Sequence, residues 1–90
     1  MSKIRDIEEI SKILGIEMGT SAGGTLTKEW LTDIIEALGH EFSNPESDKV
    51  SIAKFIFEKC GLQWSDGCSA TGSTITQEYT SKLRLWAEVT

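Results

Sequence analysis

The sequence predicts an all-α domain of four principal helices, arranged as two related helix-loop-helix units. Two observations carry this prediction. Apolar residues recur at three- and four-residue steps in four separate segments, and the first half of the chain is repeated in the second. With 90 residues, the chain has the size of one small domain. We expect a single domain over residues 1–90, with repeat one at 4–39, a linker at 40–47 and repeat two at 48–90.

The first repeat contains two predicted helices. Residues 3–14 form the first, because apolar side chains recur along one side with charged residues between them: Ile4, Ile7, Ile10, Ile13 and Leu14. Gly15 is expected to end this helix. The second helix follows Thr27 and stops before Gly39, and its apolar stripe consists of Trp30, Leu31, Ile34, Ile35 and Leu38.

The second repeat contains the other two helices. Residues 48–60 form a helix that is apolar around much of its circumference, which favours a central position in the core. Ser47 or Asp48 is expected to cap it. The fourth helix runs from Gln77 to Glu88 and places four core residues on one side: Tyr79, Leu83, Trp86 and Ala87.

The repeat is visible in the residues themselves. Residues 10–18 read "ISKILGIEM" and match residues 56–64, "IFEKCGLQW", at an offset of 46 positions. Residues 23–30 read "GGTLTKEW" and match residues 72–79, "GSTITQEY", at an offset of 49, so the second loop is longer. Because each unit has an apolar face that it cannot cover alone, we expect the two units to close one shared core around a twofold-like axis.

Each loop ends in a segment of small residues and threonines that introduces a helix. Thr27 and Thr76 are expected to cap the second and fourth helices, because a threonine oxygen accepts from the unpaired N–H groups of a first turn. Leu26 and Ile75 precede these caps and are expected to fold back onto the helices. Helix capping explains the segment without any ligand.

Anion binding is a second role for the same segments. Small residues before a helix N-terminus direct N–H groups and hydroxyls at one point, and two such loops would grip an extended anionic partner. The P-loop pattern of nucleotide-binding proteins does not occur. The expected binding residues are Gly23, Gly24, Thr25, Thr27, Lys28, Gly72, Ser73, Thr74, Thr76 and Gln77, with Lys54 on the third helix and Trp64 in the second loop.

Trp64 has two possible positions that the sequence leaves open. Its ring either closes the end of the core or faces a partner, where it would stack on a base or anchor a protein contact. The lysines of the third helix are similarly either a basic strip or a solvated face.

Composition narrows the classes of function. The formal net charge of −5 argues against a protein that coats nucleic acid nonspecifically, although it allows a local basic face. With one histidine and no CxxC pair we expect no metal site, and from the small size of the chain we expect no cofactor. We expect Cys60 and Cys68 to be free thiols. The absence of a long apolar run predicts no membrane contact, and we expect a cytoplasmic protein.

Sequence motifs for catalysis or calcium binding are weak. We expect no enzyme, because His40 lies in a polar linker where an exposed side chain is expected, with no nucleophile beside it. Paired EF-hands are rejected, since the loops offer only Glu17 and Asp66 as acidic ligands. A helix-hairpin-helix or helix-turn-helix motif stays open, although the loops are longer than such motifs use.

Both repeats also share a wider pattern. An apolar helix ends in "LG" or "CG", a variable loop follows, and a Gly-Gly/Ser-Thr-apolar-Thr segment leads a second helix. This pattern resembles small helical accessory regions of bacterial restriction-type endonucleases and related DNA-processing proteins, over residues 4–39 and 50–88. The resemblance implies a module that helps to engage or orient DNA and performs no cleavage itself.

We therefore expect a noncatalytic, DNA-associated binding module in a restriction or defence setting. The alternative is a protein-interaction adaptor, such as a small phage or mobile-element protein, whose acidic surface meets a basic partner. Salt dependence separates the two, because phosphate binding weakens steeply with salt and an apolar helix contact does not.

Overall fold

The principal elements of the structure are four α-helices. A computed structural model describes residues 2–42, 47–70 and 74–89. None of the helices in these ranges has the length and apolar character that crossing a bilayer requires. The helices are α1 (Lys3–Leu14), α2 (Lys28–Ala37), α3 (Lys49–Cys60) and α4 (Gln77–Val89).

Each loop between the helices of one unit contains a short 3₁₀ helix that the sequence pattern did not predict. The first covers Gly19–Gly23 and the second covers Asp66–Cys68. When the offset of 46 is applied, the second lies within the span that corresponds to the first. The longer second loop adds an isolated antiparallel bridge between Ser69 and Ile75.

The helix ends confirm the predicted start and stop signals. The Asp48 carboxylate accepts from the Ser51 N–H at 2.8 Å and caps α3. Gly15 and Gly61, at corresponding positions of the two units, end α1 and α3 with φ of 70° and 73°. Such left-handed backbone favours glycine, because a side chain there is strained.

The helices pair across the two units. α1 packs on α4, and α2 packs on α3, so the first helix of each unit contacts the second helix of the other. A twofold rotation that exchanges the units turns one of these pairs into the other. The domain is therefore all-α, with two pseudosymmetric helix-loop-helix repeats that share one core: Ile7, Ile10, Leu26, Trp30, Leu31, Ile34, Ile35, Ile52, Ala53, Ile56, Phe57, Cys68, Ile75, Tyr79 and Leu83.

One buried aromatic residue links the two helices within each unit. In the first unit, Trp30 Nε1 donates to the Ser11 hydroxyl at 2.8 Å, and Ser11 donates to the Ile7 carbonyl at 2.7 Å. In the second unit, the Tyr79 hydroxyl donates directly to the Ala53 carbonyl at 3.0 Å. Positions 7 and 53 are repeat-related, so both aromatic side chains satisfy their polar group through the same backbone site.

The residues around these aromatic side chains differ in a compensating way. Position 11 is a serine in the first unit, and its counterpart Phe57 stacks on Tyr79 with ring centroids 4.3 Å apart. The position about one helical turn earlier holds the larger Ile7 in the first unit and the smaller Ala53 in the second. The exchange of large and small residues fills a similar volume in both halves, as close packing requires.

α1 buries a different face from the one its apolar stripe predicts. Ile4 and Ile13 are 45% and 43% exposed. In their place α1 buries the polar side chains of Asp6 and Ser11. The prediction was wrong at these positions because periodicity counts apolar residues only, and partners from α2 and α4 satisfy the two polar groups.

Asp6 is fully buried between α1 and α4 and is paired at both carboxylate oxygens. Its Oδ1 accepts from Arg84 Nε at 2.7 Å, and its Oδ2 accepts from the hydroxyls of Thr80 and Ser81, each at 3.1 Å. Arg84 extends to Glu88 at 2.9 Å. The hydrogen bond to Asp6, with that to Glu88, raises the pKa of Arg84.

The repeat-related site between α2 and α3 is apolar. Asp6 corresponds to Ile52, while Thr80 and Arg84 correspond to Leu31 and Ile35. All three of these apolar residues are buried. One fold position is thus filled by a charged network in one half of the molecule and by hydrocarbon in the other.

We predict that Asp6→Ala lowers the free energy of unfolding by on the order of 3 kcal/mol, because it leaves a partly buried guanidinium without its carboxylate. Replacing Asp6, Thr80 and Arg84 by their counterparts from the other half, as Asp6→Ile/Thr80→Leu/Arg84→Ile, is expected to retain wild-type stability or exceed it. Urea unfolding measures both variants. A triple variant less stable than Asp6→Ala would contradict the equivalence of the two sites.

A second prediction concerns alkaline pH. Burial raises the pKa of Tyr79 well above 10.0, and the nearby thiols of Cys60 and Cys68 add to this effect. The unfolded phenol loses its proton near 10.0 while the folded one keeps it, so this part of the stability is present below pH 10.0 and is lost as pH rises beyond it. Thermal unfolding should show a steeper alkaline loss for wild type than for Tyr79→Phe. Parallel pH curves for the two proteins would refute this.

Candidate binding site

We call residues 23–28 and 72–77 the Gly-Thr segments. The first of them is hydrogen-bonded to Ser21 in the preceding loop. Thr27 caps α2 as predicted, since its hydroxyl accepts from the Trp30 N–H at 3.2 Å. The Thr27 N–H donates to the hydroxyl of the buried Ser21 at 3.0 Å, and the two hydroxyls are 3.1 Å apart. Gly24, with φ of 92°, donates its N–H to the Ser21 carbonyl.

The second Gly-Thr segment is also hydrogen-bonded to the loop that precedes it. The Thr76 N–H donates to the Cys68 carbonyl at 3.0 Å, and the Thr76 hydroxyl donates to the Gly67 carbonyl. The Ala70 N–H donates to the Thr74 carbonyl at 2.8 Å. Two of the predicted binding residues, Gly72 and Ser73, lie outside the described residues.

These hydrogen bonds leave fewer groups of the two segments available to bind a ligand than the sequence predicts. The N–H groups of Gly24, Thr27 and Thr76 are used inside the fold, so they are not available to hold an anion. Among the predicted binding residues of the two Gly-Thr segments, five lie exposed at the surface: Gly23, Thr25, Lys28, Thr74 and Gln77. Of these five, Lys28 supplies a positive charge.

Lys28 belongs to a group of lysines around the first turn of α3. Hydrogen bonding to Ser51 lowers the pKa of Asp48, and the charges of Lys28 and Lys54 lower it further. Burial lowers the pKa of Lys3, and the neighbouring charge of Lys49 adds to this effect. We call Lys3, Lys28, Lys49 and Lys54 the lysine face.

Three members of the lysine face occupy the first position of a helix. Lys3 begins α1, Lys28 begins α2 and Lys49 begins α3. A helix N-terminus carries partial positive charge, so a lysine there is unfavourable for the helix itself. The lysine face therefore combines side-chain and backbone positive charge that an anionic partner would offset.

Trp64 lies at the border between the core and this surface. Its half-buried ring contacts Phe57 and Tyr79, with centroids 5.9 and 5.8 Å away, and Lys54 Nζ lies 5.4 Å from its centroid. The tryptophan thus packs on the core on one side and positions Lys54 by a cation-π contact on the other.

The other candidates for chemistry are the two cysteines, the histidine and possible metal ligands. Cys60 and Cys68 are both free thiols. Burial raises the pKa of Cys60 to about 11, which disfavours the reactive thiolate, and Cys68 is fully buried. His40 is exposed, as expected. Across residues 2–42, 47–70 and 74–89, no three His, Cys, Asp or Glu side chains are grouped to hold a metal ion.

Ser65 joins the second loop to α4 through a polar cluster. Its hydroxyl donates to the Glu78 carboxylate, and Lys82 Nζ lies 3.3 Å from the same hydroxyl and 3.8 Å from Glu78. A Cβ on Gly67 would lie 2.6 Å from a Glu78 oxygen, so a side chain at this position would displace the Glu78 carboxylate. The cluster fastens the second 3₁₀ helix to the first turn of α4.

Comparison with protein-family models, with curated proteins and with solved structures finds no match to this chain. The resemblance to accessory regions of restriction-type endonucleases therefore stays a prediction from the sequence.

Sequence reasoning selected Lys28 and Lys54 for the site and considered the third-helix lysines, which include Lys49, as a basic strip, but it missed Lys3. A signal for Lys3 was present, because position 3 corresponds to position 49 in the repeat. The packing that brings the starts of α1 and α3 near each other depends on cross-unit pairing, which the repeat alone does not specify.

The capping role of the first segment gives a third prediction. Thr27→Ala should lower the free energy of unfolding by about 1 kcal/mol, because it removes the acceptor for the Trp30 N–H and a partner of Ser21. Thr25→Ala, a matched change at an exposed residue two positions earlier, should have little effect. Equal effects in denaturant melts would mean that Thr27 is not the effective cap.

Proposed function

We propose that this chain is a noncatalytic binding module that contacts a nucleic-acid backbone through the lysine face. The observation that carries the proposal is the placement of three lysines at the first positions of three helices. Phosphate oxygens are suited to this arrangement, since they accept hydrogen bonds from ammonium groups and interact favourably with helix N-termini.

Charge distribution supports a local, weak contact. The lysine face gathers four of the nine lysines and arginines of a chain whose formal net charge is −5. Each lysine that neutralises a phosphate adds about 0.9 to the slope of log affinity against log salt, so four contacts give a slope of about −3.6. The acidic remainder of the surface repels the same backbone, so affinity is expected to be low for the isolated domain.

A low intrinsic affinity fits a module that works beside a larger DNA enzyme. Tethering converts its contact with DNA into an intramolecular step, in which effective concentration compensates for weak binding. We propose for this role the restriction or defence setting that the sequence resemblance implies. In that role the lysine face orients DNA, and another protein supplies the cleavage chemistry.

The proposal predicts opposite changes in binding and stability. Lys28→Gln/Lys49→Gln should weaken binding of a short DNA duplex and reduce the salt slope by about 2. The same variant should be at least as stable as wild type, because it removes charges that oppose the helix dipoles. Chemical-shift mapping at low salt and thermal melts provide the two measurements.

Lys12→Gln is the control, because it removes one lysine charge from the last turn of α1, outside the lysine face. We expect it to leave the salt slope within about half a unit of wild type. If duplex binding perturbs resonances evenly over the surface, or if Lys12→Gln weakens binding as much as the double variant, the lysine face is not the binding site.

A further inference from the structure

A groove lies between the end of α1 and the second half of α2, away from the lysine face. Its volume is about 510 Å³, which lies within the usual range for ligand pockets. We call it the α1–α2 groove, and its lining residues are Leu14, Gly15, Ile16, Glu17, Asp33, Glu36 and Ala37.

The groove has apolar residues beside its carboxylates. Leu14 and Ile16 are half-buried and pack against the core, so each presents the remainder of its surface outward. The carboxylates of Glu17, Asp33 and Glu36 also line it. In the part of the chain that the structure describes, none of these carboxylates forms an ion pair or a side-chain hydrogen bond.

Backbone charge in the groove has the same sign as the carboxylates. α1 ends at Leu14 and α2 ends at Ala37, and both residues line the groove. A helix C-terminus carries partial negative charge. None of the lining residues is a lysine, arginine or histidine, so the lining itself contributes no compensating positive charge.

A second depression extends the groove along α2. It has a volume of about 260 Å³ and is lined by Thr32, Glu36, Glu41 and Phe42. Glu36 lines both depressions, so they adjoin at this residue. The extension adds one carboxylate and one aromatic ring, and Phe42 is held in place by an edge contact with Phe55 at 5.1 Å.

We propose that the α1–α2 groove binds a basic segment of a protein partner, with one apolar side chain on Leu14 and Ile16 and flanking arginines or lysines beside the carboxylates. The apolar surface favours a peptide over a small free cation, which would leave that surface uncovered. Charge complementarity favours a basic segment over a neutral one, because three lining carboxylates lack internal partners.

The proposed groove is separate from the lysine face. Lys3 begins α1 and Leu14 ends it, and a helix of this length spans roughly 18 Å. The chain would thus hold an anionic partner near the start of α1 and a basic protein segment at its end. Binding in the groove does not depend on the nucleic-acid proposal, and each can fail without the other.

The probe is a short synthetic peptide in which a leucine is flanked by arginines, titrated into the full chain and followed by chemical-shift mapping. Two control peptides replace the arginines by glutamate or the leucine by serine. We expect localised shifts at Ile16, Asp33 and Glu36 with the first peptide, and weaker binding with both controls. Added salt should weaken the electrostatic part of the peptide binding and leave the contribution of the leucine unchanged.

Paired variants test the role of the carboxylates. Asp33→Asn/Glu36→Gln should weaken peptide binding by about three- to tenfold, the range expected for two solvent-exposed charge pairs. Glu8→Gln/Glu58→Gln removes the same charge from exposed positions on α1 and α3 and should preserve binding within about twofold. Thermal melts confirm that both variants remain folded.

Three outcomes would overturn the proposal. The first is undetectable binding of the leucine-arginine peptide by the wild-type chain. The second is equal weakening in the two double variants, which would indicate attraction to the overall negative charge. The third is a concentration-dependent shift of the groove resonances without peptide, which would identify a second copy of this chain as the occupant.

Discussion

The buried carboxylate of Asp6 specifies α4 as the helix that packs on α1 in this way. It reaches across the whole sequence to Thr80, Ser81 and Arg84, and both of its oxygens are satisfied there. A buried charge without these partners is costly, so the face of α1 that carries Asp6 can pack only on α4. If α1 packed on α2 in the manner of α4, Asp6 would face Leu31 and Ile35, which offer no donor. The polar network therefore specifies which helix of one repeat meets which helix of the other.

Much of the fold was predictable because both repeats carry the same helix start and stop signals. Glycines and capping residues fix the helix ends locally, which is why the helix bounds, the cap at Thr27 and the buried Leu26 and Ile75 follow from the sequence. The burial of Asp6 was not predictable, because its partners lie more than 70 positions away. The two 3₁₀ helices were also missed, since their sequences carry no apolar period.

The candidate sites were less predictable from the sequence, because they depend on contacts between residues that are distant in the chain. Lys28 and Lys54 were chosen from loop and helix position, and the structure places both near Asp48. The N–H groups of the Gly-Thr segments looked available in the sequence, yet tertiary contacts to Ser21 and Cys68 use them. The α1–α2 groove combines the end of one helix with the side of another, and such a surface arises only from packing.

We expect that neither repeat folds alone and that the two repeats recognise each other through different contacts on the two sides of the core. The most direct measurement prepares residues 1–42 and 47–90 as separate peptides and follows helicity and mass, alone and mixed. We expect each peptide alone to be largely unfolded and the mixture to form a one-to-one helical complex, which is lost when the second peptide carries Arg84→Ala. A stable homodimer of residues 1–42, or full helicity of either peptide alone, would contradict the claim.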